Sequence, residues 1–174
     1  MEYNGKLIHS QSGSPLSEPS YYRRLMGKLL YLTCTRPDLS FVVGHLSQFF
    51  STPTHHHLTA AMRVLRYLKR SISTGIFFPA KNDLLTKEYF DADWDACPDT
   101  RKSVSGYCFF LGSSPISWKS KKEQIVSCSS AEAEYRAMAL ASSQFNGWFP
   151  YWKHLGLLIR KRFNYIVTTI LQCI

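Results

Sequence analysis

The chain has 174 residues, of which 45% are hydrophobic and 14% aromatic, enough for one packed domain or for one domain and part of another. This composition argues against a disordered chain. Lys and Arg number 21 against 12 Asp and Glu, and the formal charge of +9 favours a polyanionic partner such as nucleic acid, although a solvated basic surface would give the same composition.

Cysteine usage and hydropathy indicate a soluble, intracellular protein. The five cysteines are odd in number and widely spaced, without a Cys-x-x-Cys pair, which argues against a disulfide framework or a zinc site and favours a reducing compartment. The N-terminus lacks the apolar segment of a signal peptide. The last apolar run, residues 163–174, is shorter than the roughly 20 residues of a membrane span, so we expect no membrane partner. The sequence does not distinguish the cytoplasm from the nucleus.

The first half of the chain has the apolar spacing of helices. Residues 1–20 are rich in Ser, Pro and Gly and are typical of a linker or a severed end. The spacing predicts one helix over 21–33 and a second that begins near Pro37. A third helix is expected to have Thr52 as its N-cap and Pro53 as its first helical residue.

From Gly75 onward the pattern changes to that of strands. Strand-like runs occupy 75–78, 87–94, 104–111, 116–118 and 124–128, with a turn at 112–115 and a basic turn at 119–122. A long helix is predicted over 130–155, ended by Gly156. The order strand, strand, strand, helix predicts an antiparallel meander followed by a helix.

Two basic groups are candidate nucleic-acid contacts, because both could neutralise phosphates. A solvated basic face explains them equally well. The first lies on the outer side of the third helix and the second in the basic turn: Arg63, Arg66 and Arg70, then Lys119, Lys121 and Lys122.

A cluster of aspartates lies on the strand over 87–94 and beyond it. Asp91, Asp93 and Asp95 match three positions of a calcium-binding EF-hand loop, but Ala96 and Lys102 occupy the positions that need Gly and Glu, which excludes that site. Asp91 is mid-strand between bulky residues and is the better candidate ligand. The other acids lie nearer the strand end or the turn, where acids are common.

A second group of acids opens the long helix. Ser129 and Glu132 have the spacing of a capping box, so Glu132 has a structural role available. Glu134 has no such role, and we assign it to a metal site. If the helix packs on the sheet, Asp91 and Glu134 can converge on a divalent cation, although surface acids near a helix start would show the same spacing.

Several motifs in one order resemble those of copia-type retrotransposon Pol polyproteins. The ribonuclease H motifs are DADW at 91–94, RKSVSGY at 101–107, ISWKSKK at 116–122 and SAEAEY at 130–135. Upstream, YRRLMGKLLYL at 22–32, TRPD at 35–38 and RVLRYLK at 63–69 are similar to the segment that follows the reverse-transcriptase catalytic core. The resemblance covers about 20–158 and suggests a plant source.

The resemblance implies an α/β fold with an incomplete ribonuclease H-like mixed sheet, preceded by a helical segment. The implied divisions are a linker or severed end at 1–20, a helical connection at 21–80, the N-terminal part of the ribonuclease H-like domain at 84–158 and a divergent tail at 159–174. The implied activity is hydrolysis of the RNA strand of an RNA–DNA hybrid with Mg²⁺ or Mn²⁺. The catalytic and metal-binding residues that carry over are Asp91 and Glu134.

The family also implies two further aspartates downstream, and the sequence departs from it there. After Leu158 the chain reads IRKRFNYIVTTILQCI, which contains no acid, although 165–171 could pair as a fourth strand. We therefore expect a truncated Pol fragment, by frameshift or chimeric gene, whose hybrid cleavage is impaired or lost. The polymerase aspartates are absent as well, so the chain should not polymerise DNA.

Two alternatives remain open besides the impaired nuclease. One is a non-catalytic nucleic-acid-binding remnant that uses the two basic groups. The other is an element relic with no cellular role. The expected partners are an RNA–DNA hybrid and the rest of a Pol polyprotein.

Overall fold

The computed structural model describes residues 13–83 and 85–154, which divide after Gly75 into two compact units. The first unit is helical. It contains α1 (Pro19–Leu32), a 3₁₀ turn (Pro37–Leu39), α2 (Ser40–Ser47) and α3 (His55–Arg70). The helix expected near Pro37 is present, with Pro37 opening the 3₁₀ turn that leads into α2. Pro19 opens α1 in the same way. Proline suits the first position of a helix because its fixed φ is already helical and its missing N–H would have no helical partner.

The core of the helical unit is apolar and fully enclosed. Residues from all three helices form it: Tyr22, Met26, Leu29, Leu39, Val43, Leu46, Ala60, Ala61 and Val64. The one polar group among these side chains is satisfied, since the Tyr22 hydroxyl donates to the carbonyl oxygen of Leu46 at 2.8 Å. Burial raises the pKa of Tyr22 above its ordinary value, so this donor keeps its proton.

The start of α3 differs from the sequence prediction by two residues. The N-cap is Thr54 and not Thr52, and the helix begins at His55. The reason is the side chain of His57, whose Nδ1 accepts from the backbone N–H of Thr54 at 3.1 Å. His57 is fully buried and stacks on Phe49 with ring centroids 3.9 Å apart, so this histidine serves the core.

The second unit is a three-stranded antiparallel sheet covered on one face by a helix. Its elements are β1 (Thr86–Asp93), β2 (Val104–Leu111), β3 (Ser114–Lys122) and α4 (Ser130–His154), with β2 in the centre. α4 packs on β1 and β2. The core is aromatic, with Tyr107 and Phe109 of β2 against Ala141 and Phe145 of α4. The predicted α/β class, with an antiparallel meander followed by a helix, is confirmed.

Three local predictions in this unit were wrong. Residues 75–78 form no strand, and neither do residues 124–128. Residues 119–122 are not a turn, because β3 continues through them to Lys122. Both sides of β2 are paired, with β1 and with β3, so the run at 124–128 could have joined the described sheet only at an outer edge, and it does not. The end of α4 near Gly156, the proposed fourth strand and the tail lie outside the described residues.

Over residues 13–83 and 85–154, no helix combines the length and the apolar character required to cross a bilayer.

Candidate functional site

Asp91 lies near the end of β1, on the sheet face that α4 does not cover. In the β1–β2 register Phe90 pairs with Tyr107 and Asp91 pairs with Gly106. Successive strand residues point to opposite faces, and Phe90 packs against the core that α4 covers. Asp91 is half-buried, and its Oδ1 accepts from the backbone N–H of Ala92 at 2.9 Å.

Asp93 shares that face with Asp91, two residues along the strand. Burial, and then the negative charge of Asp91, raise the pKa of Asp93 above its ordinary value. Two carboxylates that repel each other in this way would be stabilised by a cation between them. The sequence had placed Asp93 at the strand end, and it is indeed the last residue of β1. The alternation over 87–94 predicts that Asp91 and Asp93 share one face of the strand, and the register confirms it.

The first turn of α4 is fixed by side-chain hydrogen bonds. Ser129 Oγ accepts from the backbone N–H of Glu132 at 3.2 Å, and Glu132 Oε2 accepts from the backbone N–H of Cys128 at 2.7 Å. Glu132 Oε1 also forms an ion pair with Arg136 at 2.7 Å. The prediction that Glu132 serves the start of the helix is therefore confirmed, with the carboxylate reaching one residue further back than in a standard capping box.

Glu134 lies on a flank of α4. Ala133, Ala137 and Ala141 form the fully buried stripe of this helix. Glu134 is one residue beyond Ala133, about 100° around the helix, and is half-buried. The helix packs on the sheet, as convergence of Glu134 with Asp91 requires. However, α4 and the Asp91 side chain lie on opposite faces of the sheet. An approach between them would have to go around β1, which is an edge strand of the described sheet.

The described residues limit what this site can bind. They contain no group of three or more His, Cys, Asp or Glu side chains placed to hold a metal ion. Carboxylate oxygens are the ligands that Mg²⁺ prefers, so Asp91 and Glu134 fit the metal in kind. They do not provide a full ligand set.

The predicted nucleic-acid residues form separate groups. On α3 the side chains are exposed and follow one flank: Arg63, Arg66 and Arg70. On β3 the alternation divides the lysines, because Lys119 and Lys121 pair with Tyr107 and Ser105 on the α4 side of the sheet. Lys122 points to the other side, where its Nζ lies 3.4 Å from the Sγ of Cys97. The interpretation of 119–122 as one basic turn is thus replaced by two exposed lysines on one face and one internal contact on the other.

Comparisons with known proteins agree with the motifs. The chain is 44% identical over 150 residues to the retrovirus-related Pol polyprotein from transposon RE1 of Arabidopsis thaliana, a segment that is 86% of this chain and 10% of that relative. It is 48% identical over 133 residues to the one from transposon RE2 of the same plant, 76% of this chain and 9% of the relative. The chain belongs to the copia-type retrotransposon Pol polyproteins.

A third relative is similar along most of its own length. The secreted RxLR effector protein 161 of Plasmopara viticola is 42% identical over 124 residues, which make up 71% of this chain and 87% of that protein. The chain spans about a tenth of the length of the RE1 and RE2 Pol polyproteins. No protein-family model and no solved structure matches the chain.

Proposed function

We propose that residues 84–158 are the N-terminal part of a ribonuclease H-like domain and that residues 21–80 are the helical connection after a reverse-transcriptase core. The observation that carries this proposal is the order β1–β2–β3–α4 in a copia-type Pol chain, with Asp91 on β1 and Glu134 near the start of α4. The activity is hydrolysis of the RNA strand of an RNA–DNA hybrid, supported by Mg²⁺ or Mn²⁺.

In this proposal Asp91 and Glu134 hold the metal. The bound cation would activate the attacking water and stabilise the leaving oxygen of the phosphodiester. The chain's own contribution is to fix the ligands: the pairing of β1 with β2 orients Asp91, and the cap at Ser129 together with the alanine stripe sets the rotation of Glu134. The repulsion between Asp91 and Asp93 favours cation binding at the same strand end.

Acting alone, this chain should cleave poorly. These 174 residues contain no Asp or Glu after Glu134, so they do not themselves supply the two downstream aspartates that the family motif implies. Two carboxylates neutralise only half the charge of two divalent ions, which weakens metal binding and leaves the second ion without protein ligands. The rest of a Pol polyprotein is the partner that would supply them.

A cleavage assay tests whether this chain alone is impaired in hydrolysis and whether any cleavage depends on Asp91 and Glu134. The purified chain is incubated with a labelled RNA–DNA hybrid and Mg²⁺ or Mn²⁺, beside Asp91→Asn, Glu134→Gln and the exposed loop variant Asp83→Asn as a matched control. We expect no efficient cleavage. Cleavage that disappears in Asp91→Asn and Glu134→Gln and persists in Asp83→Asn would show that the site is complete and would overturn the expected impairment.

Metal binding tests the site itself. Mn²⁺ broadens NMR signals near its binding site, so the amide signals at the end of β1 and in the first turns of α4 should broaden first. Asp91→Asn should reduce that effect and Asp83→Asn should not. Broadening that is unchanged by Asp91→Asn and by Glu134→Gln would contradict the proposed metal site.

A second candidate function is non-catalytic binding of nucleic acid. The observation in its favour is the exposed flank of α3, with arginines at spacings of three and four: Arg63, Arg66 and Arg70. Binding of a hybrid or duplex should weaken steeply with salt, and Arg66→Gln should lower the salt slope by about one. The binding should survive Asp91→Asn. A slope unchanged by Arg66→Gln and by Arg70→Gln would exclude this flank as the contact.

A further inference from the structure

A cavity of about 270 Å³ opens between the sheet and the first turns of α4. Ser105 of β2 and Lys121 of β3 form one wall, and Arg136 and Leu140 of α4 form the opposite wall. Ser105 and Lys121 are paired in the β2–β3 register, so both side chains point to the face on which α4 lies. The residues after β3, which include Gln124, close one end.

Among the described residues, the one acidic side chain that lines this cavity is hydrogen-bonded within the protein. It belongs to Glu123, whose carboxylate accepts hydrogen bonds from Ser105 Oγ at 2.5 Å and from Ser127 Oγ at 3.2 Å. Ser105 and Ser127 are both buried. The Glu123 carboxylate is therefore hydrogen-bonded to two donors within the protein.

The positive groups are left with free donor capacity. The guanidinium of Arg136 uses Nε and Nη2 on Glu132 Oε1, at 3.0 and 2.7 Å, which leaves the Nη1 donors for another acceptor. Lys121 is exposed at the mouth of the cavity. A planar guanidinium on α4 and an ammonium on β3, in a cavity that Gln124 also lines, suit an oxygen-rich anion.

We propose, on the basis of the nucleic-acid binding proposed above, that this cavity binds a phosphate group of the nucleic-acid backbone, with Lys121 and Arg136 as its cationic contacts. The volume fits this class of ligand, because pockets for drug-sized molecules measure about 300–1,000 Å³ and a single phosphate with part of its sugar is smaller. Backbone phosphates position a protein on the duplex without reading its sequence, which suits a chain that has to follow a hybrid of any sequence.

The test measures hybrid binding by fluorescence anisotropy at several salt concentrations. Lys121→Gln and Arg136→Lys are compared with wild type and with Lys81→Gln, an exposed loop lysine outside the cavity. Lys121→Gln should lower the salt slope by about one and weaken binding at low salt. Arg136→Lys keeps the charge and loses the paired donors, so it should weaken binding and leave the slope near that of wild type. If both variants behave like Lys81→Gln while wild type binds, the cavity is not a phosphate site and the proposed function is unaffected.

A second measurement distinguishes the source of the phosphate and covers the case in which wild type does not bind the hybrid. The amide NMR signal of Gln124 is followed during separate titrations with the hybrid and with inorganic phosphate. The signal should shift with both in wild type and with neither in Lys121→Gln. A shift with inorganic phosphate alone would overturn the assignment to backbone phosphate. The absence of any shift would overturn the cavity as an anion site.

Discussion

The indole Nε1 of Trp94 donates a hydrogen bond to the carbonyl oxygen of Ser127 at 3.0 Å. This bond joins the residue after β1 to the segment that leads into α4. The two elements that carry the candidate metal ligands are thus connected at one end by a side chain, in addition to the packing of α4 on β1.

Removal of this bond should loosen the junction. Trp94 is 45% exposed, so Trp94→Phe loses little buried area and mainly leaves the Ser127 carbonyl without its donor. We expect a loss of about 1 kcal/mol in the free energy of unfolding. Urea denaturation followed by far-UV circular dichroism measures it, with the exposed Tyr151→Phe as the control that should change it by less than about 0.5 kcal/mol. Equal stabilities of the two variants would contradict a stabilising role for the bond.

The cap of α4 gives a second prediction. Ser129 Oγ is the acceptor for the Glu132 N–H, and an N-cap Ser→Ala change typically costs about 1 kcal/mol. Ser129→Ala should therefore lower the free energy of unfolding by about that amount, and Ser130→Ala, one residue further, should have little effect. The same urea series checks both. A larger loss in Ser130→Ala than in Ser129→Ala would place the cap elsewhere.

The regular part of the second unit could be predicted from sequence because its pattern is dense. β2 is rich in strand-favouring residues, with Val104, Tyr107, Phe109 and Phe110, and α4 has small residues every four positions at Ala133, Ala137 and Ala141. The strand-type composition of β2 and the 3.6-residue helical repeat of α4 were enough to place these elements. Asp91 and Glu134 became candidates through their places on the predicted strand and helix and then through the motifs, whereas their positions on opposite sheet faces required the register.

The errors came from interactions that local pattern does not contain. A run of lysines suggested a turn, but β3 is an edge strand of the described sheet, where lysine is common because it prevents further pairing. Ile125 and Val126 favour strands, yet both are exposed and pair with no strand of the described sheet. The cap of α3 depends on the buried side chain of His57, whose position is fixed by its stacking on Phe49.

The pairing of Arg36 with Asp38 predicts a dependence of stability on pH. The hydrogen-bonded Arg36 guanidinium, and then the Tyr67 hydroxyl, hold the pKa of Asp38 below its ordinary value. A carboxylate with a lowered folded pKa stabilises the protein above that ordinary value, and the contribution is lost as the pH falls through the folded pKa. Wild type should therefore exceed Asp38→Asn in stability at pH 7, and the difference should shrink below about pH 4.

Urea denaturation from pH 7 to pH 3 measures this difference. Asp83→Asn, an exposed acid in a loop, is the matched control and should follow wild type throughout. A gap between wild type and Asp38→Asn that stays constant over the whole range would show that the charge of Asp38 does not carry the effect.

The core of the second unit depends on Phe109. It is 2% exposed and packs edge-to-face on Phe145 of α4, with ring centroids 5.8 Å apart. Phe109→Ala leaves a cavity between sheet and helix and should cost about 3–5 kcal/mol, enough to unfold this unit at moderate temperature. Phe77→Ala, at a residue 79% exposed, should cost less than about 0.5 kcal/mol. Thermal unfolding of the two variants checks the contrast, and similar melting temperatures would contradict the packing described.

The electrostatics of the candidate metal site can be tested without any metal. Burial and the charge of Asp91 both raise the pKa of Asp93, so Asp91→Asn should lower that pKa while leaving it above the ordinary value. Carboxyl ¹³C NMR of Asp93 over a pH titration measures the change, with Asp95→Asn as a control at a residue whose carboxylate pairs with Arg101 at 2.6 Å. An Asp93 pKa that is unchanged in Asp91→Asn would mean that the two carboxylates do not interact. The shared cation that we propose at the end of β1 would then lose its electrostatic support.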